Sequence, residues 1–550
     1  MIVGKFAPSP LAGPQWFMAY VIAVVSLWMI VSALTALRPG RRGIFAAFAY
    51  PVGWAAGELP AQAIIAQLVL LGVLRWWGWP RTSWLGPLVL ALAAVVVAEN
   101  LALIVVQFLS RVVVRRSLAS AERRPLTVGR PREDVAGSWW RTMLQVPFHP
   151  RDVQVVSDVA YGSHPRQVLD VWRTPSTPTH APVIIYFHGG AWTFGDKREQ
   201  GRPMLHEFVA RGWIVVTSNY RLAPTDPWPA HIVDAKRVLG WVKKNIANYG
   251  GDADRVVVAG GSAGGHLASL VAMAHADEWC SEDQRDVADW SVRGCISLYG
   301  VLEMTGDETH WHGLGHGLRV LLERRVVRQS YEGNEELYER MSPFHRIDET
   351  TPPFLVVQGG NDTLVDVHVA RHFVERYRQR ALAPVYYVEL PLTQHAFDHT
   401  ASPRTSATTR AAVAFADSVA QARRPLTAEL VGTYASPPVE VLVDEGGDWS
   451  LAREVAQRRG RFYVVSADNA FSDPFDPHNE RRRLELAQVA ATRGLVSSPA
   501  LGRDPSGAWP DEKGLAIFGQ SERFCRALAR AFEQHALYEV TPDECRVVRA

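Results

Sequence analysis

Asp254-Arg-Val-Val-Val-Ala-Gly-Gly-Ser262-Ala-Gly-Gly-His-Leu-Ala-Ser-Leu270 is the stretch whose reading decides the fold. Arg255 to Ala259 read as a short buried strand that stops at a glycine pair. Ser262 follows, then Ala263-Gly264-Gly265 and a helix-like run from His266. A strand, a serine flanked by glycines two residues away on each side, and a helix make a G-x-S-x-G elbow. Such a turn projects a nucleophile into a cleft, and bulky neighbours would make strand and helix collide. The helix start also offers amide N–H groups and a positive dipole to a developing oxyanion.

Alone, this pattern is a weak signal, because glycine-rich turns after strands are common. The rest of the chain supplies the groups the serine needs, in order. Val183 to Phe187 is an apolar strand that runs into His188-Gly189-Gly190-Ala191-Trp192. The amides of Gly189 and Gly190, with that of Ala263, are placed to form an oxyanion hole, each donor worth roughly 3 to 4 kcal/mol. Gln358-Gly-Gly-Asn361-Asp362 follows a later strand, and Thr393-Gln-His395-Ala-Phe follows the next. His395 is the candidate base for Ser262. Asp362 is the candidate acid that orients it, with Asp366 and Asp398 as alternatives.

The flanks decide the organisation. At 550 residues the chain is too long for one core. Residues 16–37 carry no charge and are long enough to span a bilayer; 61–79 and 85–110 are two further candidates. Residues 43–58, interrupted by Pro51, Gly53 and Gly57, read as an interfacial or re-entrant piece. Arg38, Arg41 and Arg42 then share a side with Arg111, Arg115 and Arg116, leaving Arg75 and Arg81 on the other. That bias predicts a multi-pass membrane domain over 1–116 with everything after it cytoplasmic. Glu99, mid-span, is either a functional carboxyl or a protonated one bonded to Gln62 or Gln67.

Residues 117–150 read as a juxtamembrane linker. From 151 to 421, eight apolar runs alternate with helical periodicity, which predicts a mostly parallel sheet covered on both faces, with the elbow after the fifth strand. Residues 430–550 read as a separate small α+β unit. Basic and acidic residues nearly balance, 58 against 56, so no nucleic-acid partner is implied. Four widely spaced cysteines suit a reducing compartment.

Four stretches carry a resemblance: HGGAW (188–192), NYRLAP (219–224), ANYGGDADRVVVAGGSAGGHLA (247–268) and QGGNDTLV (358–365). They make residues 150–421 similar to the hormone-sensitive-lipase-like α/β-hydrolases, near the prenylcysteine methylesterase and arylformamidase branches. SADNAFSDPFDPHNERRRLEL (466–486) resembles the DUF3293 family, which has no assigned activity. The resemblance implies a serine esterase or lipase that uses no cofactor. A formamidase and an inactive membrane scaffold stand as alternatives. The insertion 301–351 lies where this fold places a cap. Its His310, His312 and His316 lack a supporting carboxylate or cysteine spacing and are taken as rim residues, not metal ligands. Trp192, Phe194 and Trp311 are candidate pocket walls. Expected partners are the lipid bilayer and a small apolar ester, with residues 430–550 a candidate contact for another protein.

Overall fold

The computed structural model describes residues 14–39, 43–77, 84–121, 126, 143–145, 150, 152–274, 278–280, 287, 289–312, 314–421, 440–468, 478–505 and 511–550. Most of the 117–150 linker and part of the 466–486 motif lie outside them. The chain forms two compact units, one of Met1–Arg346, Pro353–Arg376 and Val385–Ala420, the other of Ile347–Pro352, Tyr377–Pro384 and Gln421–Ala550.

The first unit begins with four apolar helices, α1 (Pro14–Leu37), α2 (Gly43–Glu58), α3 (Pro60–Trp77) and α4 (Leu85–Ala119). Of these, α1 and α4 are each long and apolar enough to cross a membrane, which associates the chain with a bilayer. Residues Ala49–Glu58 and Pro60–Trp76 meet at 82°, a broken span or a re-entrant turn. The start of α1, the end of α3 and the start of α4 pack together through Ala19, Ile22, Leu74, Leu85 and Val89. Within this bundle Gln67 donates to Ser26 Oγ (2.9 Å) and not to Glu99. Glu99 Oε2 has no hydrogen-bond partner among the described residues.

The helix α4 runs past the predicted linker boundary at 117. At about 1.5 Å per residue its 35 residues are longer than a bilayer core is thick. Its last turns enter the next layer, where Val114 and Leu118 are buried with the sheet residues Ile184, Tyr186, Val215 and Val257. This shared core is why the N-terminal helices and the sheet form one unit.

The sheet has eight strands: β1 (Gln154–Ala160), β2 (Val168–Arg173), β3 (Ala181–Phe187), β4 (Ile214–Ser218), β5 (Gly251–Gly261), β6 (Gly294–Leu298), β7 (Phe354–Gly359) and β8 (Val385–Leu390). Their order is β1-β2-β4-β3-β5-β6-β7-β8. Strand β2 pairs antiparallel with β1 and with β4, and from β4 to β8 the sheet is parallel. Near-continuous apolar strands are what a sheet buried on both faces requires. Helices α5 (Arg202–Ala210), α6 (Ala230–Asn245) and α7 (Ala263–Met273) follow β3, β4 and β5. The cap comprises α8 (Glu308–Trp311), α9 (Gly315–Leu321) and α10 (Glu335–Met341), and α11 (Val367–Arg380) and α12 (Pro403–Val419) complete the set. Residues Leu205, Phe208, Ala411 and Phe415 of α5 and α12 join α4 over one face. The alternate residues Val183, Ile185, Val256 and Val258 are equally buried and point to the face where α7 packs.

The second unit is an antiparallel sheet in the order β10-β9-β12-β13-β11-β14-β15. Its strands are β9 (Glu440–Asp444), β10 (Trp449–Leu451), β11 (Phe462–Ser466), β12 (Ser497–Arg503), β13 (Glu512–Phe518), β14 (Ala536–Val540) and β15 (Cys545–Arg549). Helices α13 (Ala452–Arg459), α14 (Asn479–Thr492) and α15 (Glu522–Ala531) cover it.

Candidate active site

Parallel strands bring the loops at their carboxyl ends to one edge, where sheets of this kind bind ligands. The loops after β3, β5, β6, β7 and β8 all leave at that edge.

Ser262 lies between β5 and α7 with φ 55° and ψ −122°, a strained backbone conformation typical of a nucleophile elbow. Its N–H donates to Leu298 O (3.0 Å) and its carbonyl accepts from His266 N–H (3.0 Å). The flanking glycines are obligatory. A Cβ on Gly260 would stand 2.3 Å from the Gly264 carbonyl, and one on Gly264 would stand 2.0 Å from Phe187 O. Both neighbours are backbone and cannot yield.

His395 follows β8 and Asp362 follows β7. His395 Nδ1 is 2.7 Å from Asp362 Oδ2. Both carboxyl oxygens of Asp362 are engaged as acceptors. Its Oδ1 accepts the N–H groups of Leu364 and Val365 (both 2.9 Å), and Oδ2 also accepts Gln358 Nε2 (2.9 Å). The two alternative acids are occupied elsewhere. Asp366 pairs with His368 Nδ1 at 2.7 Å, and Asp398 accepts the Tyr299 hydroxyl.

Tyr299, after β6, links the serine and histidine sides, and sequence reasoning missed it. Its ring packs edge-on to His395 at 4.7 Å between centroids. Its hydroxyl would meet a Cβ on Gly261 at 2.6 Å, so it fills the space beside the elbow. Burial, then the charge of Asp398, pushes the Tyr299 hydroxyl well above the ordinary phenol range. Tyr299 therefore stays a neutral donor. A tyrosine just past a strand carries no signal of such a contact in the sequence.

The loop after β3 places Gly189 directly against Ser262, since a Cβ there would come 3.2 Å from Ser262 Cβ. Its N–H, expected to face an oxyanion, donates instead to Gln200 Oε1 at 2.7 Å. Gly190 has φ 122°, and a Cβ on it would strike Phe194 O at 2.0 Å. Ala191 and Trp192 follow with φ 49° and 59°, two successive left-handed non-glycine residues. Backbone strain of this kind collects at functional loops. Ala263 is buried at the first turn of α7.

The three candidate pocket aromatics part company. Trp192 is buried and donates Nε1–H to His266 Nδ1 (3.2 Å). Trp311 is buried inside the cap and donates to Glu303 Oε2 (2.7 Å). Phe194 is 63% exposed. His266 Nε2 lies 2.8 Å from Met341 O, so this ring ties the β3 loop to the cap. Burial lowers the pKa of His266 to about 3, which keeps it neutral and leaves it no role as a base.

The cap histidines do not converge on one another. His310 packs against His372 (4.9 Å) and His312 against His368 (3.7 Å), while His316 is exposed. Among the described residues no group of three His, Cys, Asp or Glu is arranged to hold a metal ion.

Comparison with known proteins agrees with this architecture. Residues 169–377 match the BD-FAE family, and residues 465–537 match DUF3293, a family of unknown function. The probable carboxylic ester hydrolase LipM of Mycobacterium tuberculosis is 41% identical over 296 residues, 52% of this chain and 67% of that protein. Esterase LipC of the same organism is 36% identical over 278 residues, 50% of this chain and 67% of that one. A probable isoprenylcysteine alpha-carbonyl methylesterase of Arabidopsis thaliana is 27% identical over 233 residues, 40% of this chain and 53% of that one. With its G-x-S-x-G elbow, its eight-stranded mixed sheet and these relatives, the chain belongs to the hormone-sensitive-lipase-like α/β-hydrolases, as a carboxylic ester hydrolase carrying a DUF3293 domain.

Proposed function

We propose that the protein is a membrane-anchored serine esterase that cleaves apolar or lipid-borne carboxylic esters. The observation that carries the reading is the 2.7 Å Asp362–His395 pair, at the sheet edge where the strained elbow presents Ser262. His395 Nε2 takes the proton as Ser262 Oγ attacks the ester carbonyl. Asp362 holds the imidazole in the Nδ1–H tautomer and stabilises the imidazolium. The tetrahedral oxyanion is met by the amides of Gly190 and Ala263. Gly189 joins them only if Gln200 releases its N–H. The imidazolium then protonates the departing alkoxide, leaving an acyl-serine, and water activated by His395 hydrolyses it.

Two features support an apolar substrate. The site shares a compact unit with helices α1–α4, and the Arabidopsis relative is named for a methyl ester borne by an isoprenylated cysteine. The path of those helices supports a three-span reading. The end of α1 and the length of α2 meet the hydrolase layer, the end of α3 lies with the starts of α1 and α4, and α4 ends in the hydrolase core. On this reading α1, α3 and α4 cross, α2 stays on the hydrolase side, and the arginine bias makes that side cytoplasmic.

The test is fluorophosphonate labelling and turnover of p-nitrophenyl esters from acetyl to palmitoyl. Ser262→Ala should lose labelling and at least about a thousandfold of turnover. Activity within tenfold of the parent chain would remove Ser262 as the nucleophile.

A further inference from the structure

The residues flanking Asp362 and His395 are hydrogen-bonded to the N-terminal helices. Asn361, just before Asp362, donates Nδ2–H to the carbonyls of Ala36 (2.7 Å) and Leu37 (3.2 Å) at the end of α1. Gln394, just before His395, reaches Ala49 O at 3.5 Å. Ala396, just after His395, has its carbonyl bonded by Trp54 Nε1 at 3.0 Å.

Tyr50 lies four residues before Trp54 and so on the same face of α2. Its ring stands edge-on to the His395 imidazole, 6.2 Å between centroids and 73° between planes. Gly53 lets the helix come this close, since a Cβ there would stand 3.2 Å from Gln394 Nε2 and 3.6 Å from Ala36 Cα. The far end of α2 is fastened by an ion pair between Glu58 and Arg404, both side chains fully buried. Arg404 also donates to Gly57 O and Pro391 O (3.4 Å each), and Pro391 opens the loop that carries His395.

We propose that α2 is part of the active site. Trp54 positions the His395 loop, and Tyr50 walls the acyl-binding space beside the imidazole, selecting a long-chain acyl ester that arrives from the bilayer. The inference rests on the serine-esterase reading and names the substrate-selecting side chain within it. The chemistry suits the place. Tyrosine offers an apolar ring to an acyl chain and a hydroxyl to the wet end of the site. An N–H bonded to the carbonyl next to His395 fixes that loop without touching substrate, which makes Trp54 a positioning residue.

The experiment uses the full chain in detergent micelles or lipid nanodiscs. It measures kcat and KM separately on p-nitrophenyl butyrate and p-nitrophenyl palmitate, with the thermal midpoint and fluorophosphonate labelling alongside. Tyr50→Ala should change the palmitate-to-butyrate ratio of kcat/KM by about tenfold or more, the scale on which pocket shape discriminates chain lengths. Tyr50→Leu, which keeps the volume apolar, is read the same way if the alanine variant does not fold.

Trp54→Phe keeps the ring and deletes the N–H. It should lower kcat on both esters by roughly tenfold to a hundredfold, as small misplacements of a reacting group do, with KM and the thermal midpoint little moved. Trp54→His, which restores an N–H, should recover part of that loss. Leu68→Ala, on an exposed face of α3, is the control and should move none of these readings.

An unchanged chain-length ratio in both Tyr50 variants, with unchanged kcat in Trp54→Phe, overturns the proposal. If Ser262→Ala is inactive while the α2 variants behave as the parent, only the role of α2 fails. If Ser262→Ala stays active, the esterase mechanism itself fails.

Discussion

Three carboxylates lie in the loops after β7 and β8, and only one is bonded to His395. Asp362 accepts hydrogen bonds from two backbone amides, Gln358 and His395, and a carboxylate so held is fixed in place. Asp362→Asn keeps the shape but lets the imidazole settle in the wrong tautomer. It should cost on the order of ten thousandfold in kcat, measured on p-nitrophenyl butyrate. Asp366→Asn, which disturbs only the contact with His368, should cost less than tenfold on the same general-base scale, and a larger loss there would make Asp366 the orienting acid. The places of Ser262, Asp362 and His395 at strand ends were legible because each sits at a strand-to-helix switch, and periodicity marks those switches. Gln200 against Gly189, Tyr299 against His395 and Tyr50 across from it were not. Tyr299 and Tyr50 reach His395 from distant parts of the chain, and Gln200 folds back within the stretch after β3. A glutamine or tyrosine looks the same in sequence whether or not it arrives.

At the scale of elements, the inner strands of the first sheet were legible because a sheet buried on both faces needs unbroken apolar runs. The edge strand β1, by contrast, lies exposed along most of its length. The second sheet hid β10, β12 and β15. Ser497–Arg503 contains proline and glycine and buries little of its length, so neither alternation nor apolar density announces it. The helix α2 read in the sequence as an interfacial or re-entrant piece, and its contacts show what holds it. The carbonyls of Ala49 and Gly57 and the Glu58 carboxylate are bonded to protein groups. Arg404, at the start of α12, is one of the largest fully buried side chains and is paired with that glutamate. Removing one partner of a buried pair strands the other, at a cost of about 3 to 5 kcal/mol. Arg404→Met should therefore lower the denaturation midpoint sharply in detergent solution. Adding Glu58→Gln should recover a large part of the loss, because the stranded charge goes with it. If the double variant is as unstable as the sum of the singles, the pair is not what fastens α2 to α12.

At the scale of the whole chain, the proposed three-span path of the helices predicts which side of the membrane the hydrolase occupies. On that three-span reading, α1 and α4 both run toward the hydrolase layer and α3 is the crossing that runs back between them. With α2 held against the hydrolase by Trp54 and Glu58, the bent pair counts on that reading as one return and not two. Three crossings put Arg38, Arg41, Arg42, Arg111, Arg115 and Arg116 on the hydrolase side and leave Arg75 and Arg81 opposite. Arginines of short flanking loops stay in the cytoplasm, so the hydrolase should be cytoplasmic. The chain carries its own probe, since Cys545 is exposed and unpaired. A membrane-impermeant maleimide added to intact cells should leave Cys545 unlabelled until the membrane is opened. The same reagent should label Thr82→Cys, which falls between α3 and α4 in sequence, without permeabilisation. A reporter that works only in the cytoplasm, fused after Ala550, should be active. Labelling in the reverse order would place Ser262 outside the cytoplasm and turn the search for its ester toward lipids of the outer leaflet.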